Sequence, residues 1–136
     1  MAAAPEQHNL TLILARSFVA HLATAVFLFD TEGTIIYYNE AAERLTGRPF
    51  IEGGAGSTVE EWMERGRPLD EEGREVPMES LPLGWTILKR EPAHGVTTFR
   101  IKGEHHRFEN VTFPLFAHTD DLVGAMAMIW PVEEDR

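Results

Sequence analysis

Few side chains in this sequence stand where chemistry could begin. The densest grouping of metal-ligating types is "GEHH", with Glu104, His105 and His106 in succession. Neighbouring residues of a strand point to opposite faces, so this spacing scatters the donors that a metal ion needs converging. At a hairpin tip it reads as a solvated turn. Asp70, Glu71 and Glu72 are successive carboxylates without the alternate-residue spacing of a calcium loop. "GGAGS", from Gly53 to Ser57, is glycine-rich, yet no Lys follows it and no strand leads directly into it, so it reads as a flexible joint rather than a phosphate loop. Ser17, Ser57 and Ser80 have no base at a recognisable spacing. The absence of cysteine removes thiolate nucleophiles, disulfides, thiolate metal sites and cofactors attached through sulfur. The expectation is no catalytic residue and no metal.

Composition narrows the classes further. A chain of 136 residues, 43% apolar and with three Trp, is long enough for one domain with a real core. A formal charge of −10 opposes a nucleic-acid partner and an anionic lipid surface alike. No apolar run approaches the ~20 residues of a membrane span. "MAAAPEQHN" lacks the basic flank and apolar core of a signal peptide, so a cytoplasmic domain is expected.

The elements that must position any site follow from periodicity. Glu6 to Ala23 places Leu10, Ile13, Leu14, Phe18 and Leu22 on one helical face, widened by Leu12 and Val19. "AVFLF" and "TIIYY" read as strands joined at the turn "DTEGT", where Gly33 supplies positive φ. Asn39 is a natural N-cap and Gly47 a natural stop for the short helix between them. "TVEEWMERG" predicts a helix of about two turns, and "RPLDEEGREVP" an acidic loop. "MESLPLGWTILKRE" predicts another helix, with Pro82 near its first turn and Lys89 and Arg90 at its end. "GVTTFRI", "HRFENVTFPLF" and "LVGAMAMIW" are strands separated by the tips "KGE" and "HTDD". The order is that of an α+β domain with an antiparallel sheet.

With these elements in place, the sequence resembles the PAS (Per-ARNT-Sim) sensor family from Ala25 to Trp130. The residues that carry the resemblance are "FLFDTEGTIIYYNEAAERLTG", "PLGWTILKREPAHGVTTFRI", "FENVTFPL" and "DDLVGAMAMIW", four stretches in the family's order. The resemblance implies a five-stranded antiparallel sheet in the order 2-1-5-4-3, with the middle helices on one face around a pocket. It divides the chain into an N-terminal helix over 1–23, a PAS domain over 24–131, and the start of a linker over 132–136. It implies a sensory role in signal transduction, with an output domain such as a histidine kinase of a two-component system, a cyclase or a transcription regulator. One departure stands out. Many members end the last strand with an Asp-Ile-Thr-like triplet, where this chain has "WPVEEDR", and Pro131 can neither donate to a ladder nor favour a helix through Trp130.

Comparison with flavin-binding members of the family suggests which strand positions face a pocket: Phe27 and Phe29; Phe108, Asn110 and Thr112; Met126 and Met128. Trp85 and Leu88 would close it from the helix. Asn110 and Thr112 are informative because polar groups turned into an apolar interior need partners. Either a small apolar or aromatic ligand supplies them, or a packed core does. Some family sensors hold haem through a His on the helix before the third strand. That helix has no His here, and His94 follows it in a loop at the rim, so no haem is expected. Covalent flavin chemistry needs a Cys, and non-covalent flavin has no positive sign.

Both parities of the first and last strands are apolar, so something must cover the outer face of the sheet. The N-terminal helix is the available cover. Its stripe of Leu10, Ile13, Leu14, Phe18 and Leu22 is wide enough to pair with a second copy as well, which predicts a homodimer. The leading reading is a ligand-binding, dimerising sensor module. The alternatives are a ligand-free dimerisation or protein-interaction module, and a small cone-shaped α+β enzyme. The enzyme would need an acid or base inside its cavity, and the presumed inward positions hold none.

Overall fold

The computed structural model describes residues 5–50, 57–58, 66–70, 72–101, 103–118 and 120–132. Helix α1 spans Pro5–Val19, followed by strands β1 (Ala25–Phe29) and β2 (Thr34–Tyr38), helix α2 (Glu40–Thr46), and the short strands β3 (Ser57–Thr58) and β4 (Gly66–Leu69). A 3-10 turn at Met78–Ser80 leads into α3 (Pro82–Lys89), and β5 (Ala93–Ile101), β6 (Glu104–His118) and β7 (Asp121–Pro131) complete the chain. Local chemistry sets several of these boundaries. Pro82 occupies the first turn of α3, where its missing N–H costs nothing, and Arg90 ends that helix at φ 58° with its N–H on Thr86 O. Gly47 ends α2 at φ 73°, a conformation that glycine adopts without strain.

The strands form one antiparallel sheet in the order β3-β2-β1-β7-β6-β5-β4. Its central run, β2-β1-β7-β6-β5, is the expected 2-1-5-4-3 arrangement. The expected count of five is corrected by a short strand at each edge. "RPLDEEGREVP" is therefore not simply a loop: Gly66 to Leu69 pairs with Ile101 to Thr98, and Pro68 is tolerated at this sheet edge, where its other side meets only the Leu69–Glu75 bridge and its carbonyl accepts the N–H of Val76 at 3.0 Å. The chain then reverses at Asp70, whose Oδ1 accepts the N–H groups of Glu72 and Arg74, each at 2.9 Å. Ser57 and Thr58 pair with β2, so Thr58 lies in a strand rather than at the start of the predicted helix "TVEEWMERG", and Gly66, the last residue of that prediction, opens β4. Residues 59–65 of that prediction, the glycines of "GGAGS" and residues 133–136 of the expected linker lie outside the described residues.

The core lies on both faces of the sheet. On the inner face, Phe27, Phe29, Ile35, Tyr38, Ala125 and Ala127 pack with Ala41 and Ala42 of α2 and Leu83 of α3. On the outer face, Val26, Leu28 and Met126 pack under Val19, with Ala15, Leu22, Phe113 and Met128 around them. The two-sided apolar pattern of β1 is thus satisfied by α1 on one side and by α2 and α3 on the other. Register explains the fit. Phe27 and Phe29 stand opposite Ala127 and Ala125, whose small side chains leave room for the rings, while Val26 and Leu28 stand opposite Met128 and Met126.

Asn39 ties the layers together. It is fully buried; its Oδ1 accepts the N–H of Val26 at 3.1 Å and of Ala42 at 3.0 Å. Its Nδ2 donates to the carbonyls of Val19 and Thr24, each at 2.9 Å. One side chain therefore caps α2, borders β1 and holds the end of α1. The carbonyl of Val19 also accepts the N–H of Leu22, which is why α1 stops there rather than at Ala23.

Candidate functional site

The inner face where α3 meets β5 and β6 is the place to look for a site, and its polar groups are paired among themselves. Phe108, Asn110 and Thr112 do share this face, and all three are buried. Thr112 Oγ1 lies 2.6 Å from Thr86 Oγ1 on α3. Asn110 Nδ2 donates to Thr97 Oγ1 on β5 at 3.1 Å. Phe108 packs edge-on against Phe99, with ring centroids 5.9 Å apart. The partners that Asn110 and Thr112 require are other side chains of the protein.

Two expectations about this face are corrected. Met126 and Met128 belong to the outer cluster beneath α1, and the inward residues of β7 are Ala125 and Ala127. Both parities of that strand are apolar, and the pairing with β1 selects between them. Nor do Trp85 and Leu88 close the interior, since they are 46% and 70% exposed. Leu83, Gly84 and Thr86 are the buried residues of α3, with Ile87 packed against the same core as Leu83. So apolar a helix offers two plausible faces, and Thr86 was the residue that sequence reasoning missed. Its signal was a hydroxyl one turn from Leu83 and Pro82.

Trp85 instead walls a groove of about 800 Å³ beside the edge of β5. Leu69, Val76, Ser80 and Pro82 also line it, with the β5 residues Ala93 to Thr98. Strand β4 pairs with Thr98 to Ile101, so among the described residues the first half of β5 keeps an open edge here. The α3 helix sits close to this strand at Gly95, where an added Cβ would come 3.2 Å from Pro82 Cγ. Asp70, at the rim, is held below the usual carboxylate range, first by the Arg74 N–H and then by the Glu72 N–H and the Arg74 guanidinium. Tyr38, at the other end of the inner face, is raised above the usual phenol value by burial, and its hydroxyl donates to the carbonyl of Pro49 at 3.1 Å.

His94 is in β5 and not in a loop. It borders the groove, and its Nε2 lies 3.0 Å from Glu109 Oε1. Glu109 Oε2 accepts the indole N–H of Trp130 at 3.0 Å. Glu104, His105 and His106 open β6 and are exposed, and no group of three or more metal-ligating side chains converges among the described residues.

On the other side of the sheet, α1 turns Val19 and Ala15 inward, with Leu22 following beyond its end. The rest of the predicted stripe faces away, with Leu10 54%, Ile13 58%, Leu14 60% and Phe18 70% exposed. Sheet cover and exposed stripe are therefore separate faces of one helix, with Leu22 belonging to the covering side. No described helix is long and apolar enough to cross a membrane.

The fold has solved relatives. The chain is similar to the PAS domain of Bordetella pertussis BvgS, at 18% identity and a TM-score of 0.62, over 90% of this chain and 86% of that one. It is similar to the PAS domain of nitrogen regulation protein NR(II) from Vibrio parahaemolyticus, at 15% identity and a TM-score of 0.59, over 88% and 98% of the two chains. A Rhodobacter sphaeroides LOV protein aligns at 15% identity and a TM-score of 0.67, over 90% of this chain and 68% of that one. No curated protein matches the sequence. A family profile described as the PAS domain matches residues 14–82, which run from α1 through the start of α3. With that match over half its length, and with the sheet order and helix placement described above, the chain belongs to the PAS domain family.

Proposed function

We propose that this PAS domain is a sensory module of a signal-transduction protein. In this reading it takes a small apolar or aromatic ligand in the groove between α3 and β5, and it self-associates through α1. The observation that carries the sensing reading is the groove itself. Its volume of about 800 Å³ falls within the range of small-molecule pockets, ~300–1,000 Å³, and the half-exposed indole of Trp85 offers an aromatic wall. The interior beneath α3 is a poorer candidate, because Thr86 is already bonded to Thr112 and Asn110 to Thr97. The output, in this reading a histidine kinase, cyclase or transcription regulator in the cytoplasm, would receive the change through the dimer and the end of β7.

Self-association is supported by the face of α1 that its own sheet leaves open. Leu10, Ile13, Leu14 and Phe18 recur at helical spacing along one side, while Val19 secures the opposite side. A second copy presenting the same stripe would cover it in a twofold pair. A second reading, a ligand-free dimerisation module, draws on the same stripe together with the Thr86–Thr112 and Asn110–Thr97 pairs of the interior.

Mass spectrometry of small molecules released from purified protein separates the two readings. A stoichiometric apolar or aromatic compound whose binding Trp85→Ala weakens favours sensing. An empty groove beside a concentration-dependent dimer favours the second reading. Light scattering over a range of concentrations tests the dimer: Leu14→Glu with Phe18→Glu should give a folded monomer. A wild-type protein that is already monomeric at every concentration would end the dimer proposal.

A further inference from the structure

The outer face of the sheet carries a polar chain that neither core packing nor the groove by itself explains. Glu109 lies on β6, directly opposite Val96 of β5 on one side and Trp130 of β7 on the other. Its two carboxylate oxygens are committed to different neighbours, Oε1 to His94 Nε2 and Oε2 to Trp130 Nε1, each at 3.0 Å. An indole N–H can only donate, so Trp130 depends on this acceptor. A carboxylate shared between two donors also makes their positions interdependent, because whatever removes one leaves the other as its sole partner.

The ends of this chain matter most. His94 borders the groove, and its Nδ1 remains for another partner. Trp130 immediately precedes Pro131, where β7 ends. Arg107, also at the groove, holds the next residue through its carbonyl, which accepts the N–H of Val132 at 3.0 Å. Two hydrogen-bonded routes, one through Glu109 and one through Arg107, thus connect the groove to the point where the chain leaves the sheet, in a sequence whose Pro131 disfavours a regular helix through Trp130.

We propose that Glu109 is a positioning residue that couples the groove to the end of β7. A small aromatic or apolar ligand with a hydrogen-bonding group that engages the His94 ring draws that ring from Glu109. The carboxylate then settles on Trp130 alone, and the exit strand shifts. The ligand exerts this bias only through its different contact with His94 in the two arrangements. The coupling deepens the groove's sensing role and rests on that reading for its natural input, but its mechanical part is testable without any ligand.

The full chain is labelled with ¹⁵N at its tryptophan indoles, and the Trp130 resonance is assigned by its loss in Trp130→Phe. His94→Ala and Glu109→Ala should each displace that resonance. The double variant should place it where Glu109→Ala alone does. If His94→Ala leaves the resonance unmoved, or moves it equally in the Glu109→Ala background, there is no relay. Glu109→Leu, which keeps similar bulk without any hydrogen-bonding atom, replaces Glu109→Ala if circular dichroism shows that the latter is unfolded. The chain has no cysteine, so Ser80→Cys can be labelled selectively with a benzyl thiosulfonate to place an aromatic group in the groove. The label should move the Trp130 resonance with Glu109 present and leave it still with Glu109 replaced. Movement in both backgrounds, or in neither, overturns the coupling to the groove. An absence of copurifying ligand bears on the sensing proposal alone, since the substitution experiment reads the relay directly.

Discussion

Thr86 of α3 and Thr112 of β6 place their hydroxyl oxygens 2.6 Å apart in a fully buried contact that ties the helix to the sheet. Removing one partner strands the other away from water, whereas removing both eliminates the need. Thr112→Val should therefore cost about 1–3 kcal/mol, and the double change Thr86→Val with Thr112→Val should recover most of it. Urea denaturation of the single and double variants measures this. Additive losses would mean that the two hydroxyls do not depend on each other.

Two glycines rank differently for a geometric reason. A Cβ at Gly124 would lie 2.2 Å from the carbonyl oxygen of Phe29, which is backbone and cannot swing aside. At Gly95 the corresponding contact is 3.2 Å from the edge of the Pro82 ring. Gly124→Ala should destabilise by about 3 kcal/mol or more, through forced separation of β1 and β7. Gly95→Ala should stay within about 1 kcal/mol of wild type, because a slight shift of the ring is offset by lost unfolded-chain entropy. Thermal denaturation decides the order, and equal losses would refute this account of the β1–β7 approach.

Asn39→Ala should loosen α1 before it unfolds the sheet. The substitution leaves the amide of Val26 and the carbonyl of Thr24 without the partners that Asn39 provides, at an expected cost of at least about 3 kcal/mol. Hydrogen exchange should accelerate first in the last turn of α1, whose Val19 carbonyl loses one of its two donors. A variant within about 1 kcal/mol of wild type would show that the junction is held by packing alone.

Asp70 gives the turn after β4 a pH dependence. Its carboxyl is held below the usual range, first by the N–H of Arg74. A pKa lower in the folded state than in the unfolded one adds stability that is complete at neutral pH. That stability is lost as pH falls below about 4 and through the folded value. Asp70→Asn keeps an acceptor oxygen and removes the charge. Its melting temperature should lie below that of wild type at pH ~7, and the gap should close towards pH ~2. A gap that persists unchanged in acid would exclude the carboxylate as its source.

The sequence by itself determined the elements that depend on near neighbours. Asn39 as a cap, Gly47 as a stop and Pro82 in a first turn are local chemistry, and each is found where its residue type requires. The two apolar parities of β1 likewise required a sheet covered on both sides, and the structure supplies both covers. Tertiary structure alone decided where several competing faces point. In β7 and α3 either face is apolar, so burial energy hardly distinguishes them. Register with β1 turns Ala125 and Ala127 towards the Phe rings, and Thr86 gains a distant partner on β6. Strand β4 was equally illegible, because "GRPL" has no alternation of its own and becomes a strand by pairing with the edge of β5. The link from His94 through Glu109 to Trp130 joins residues on three strands. No local pattern encodes it, because only the sheet register places these side chains together.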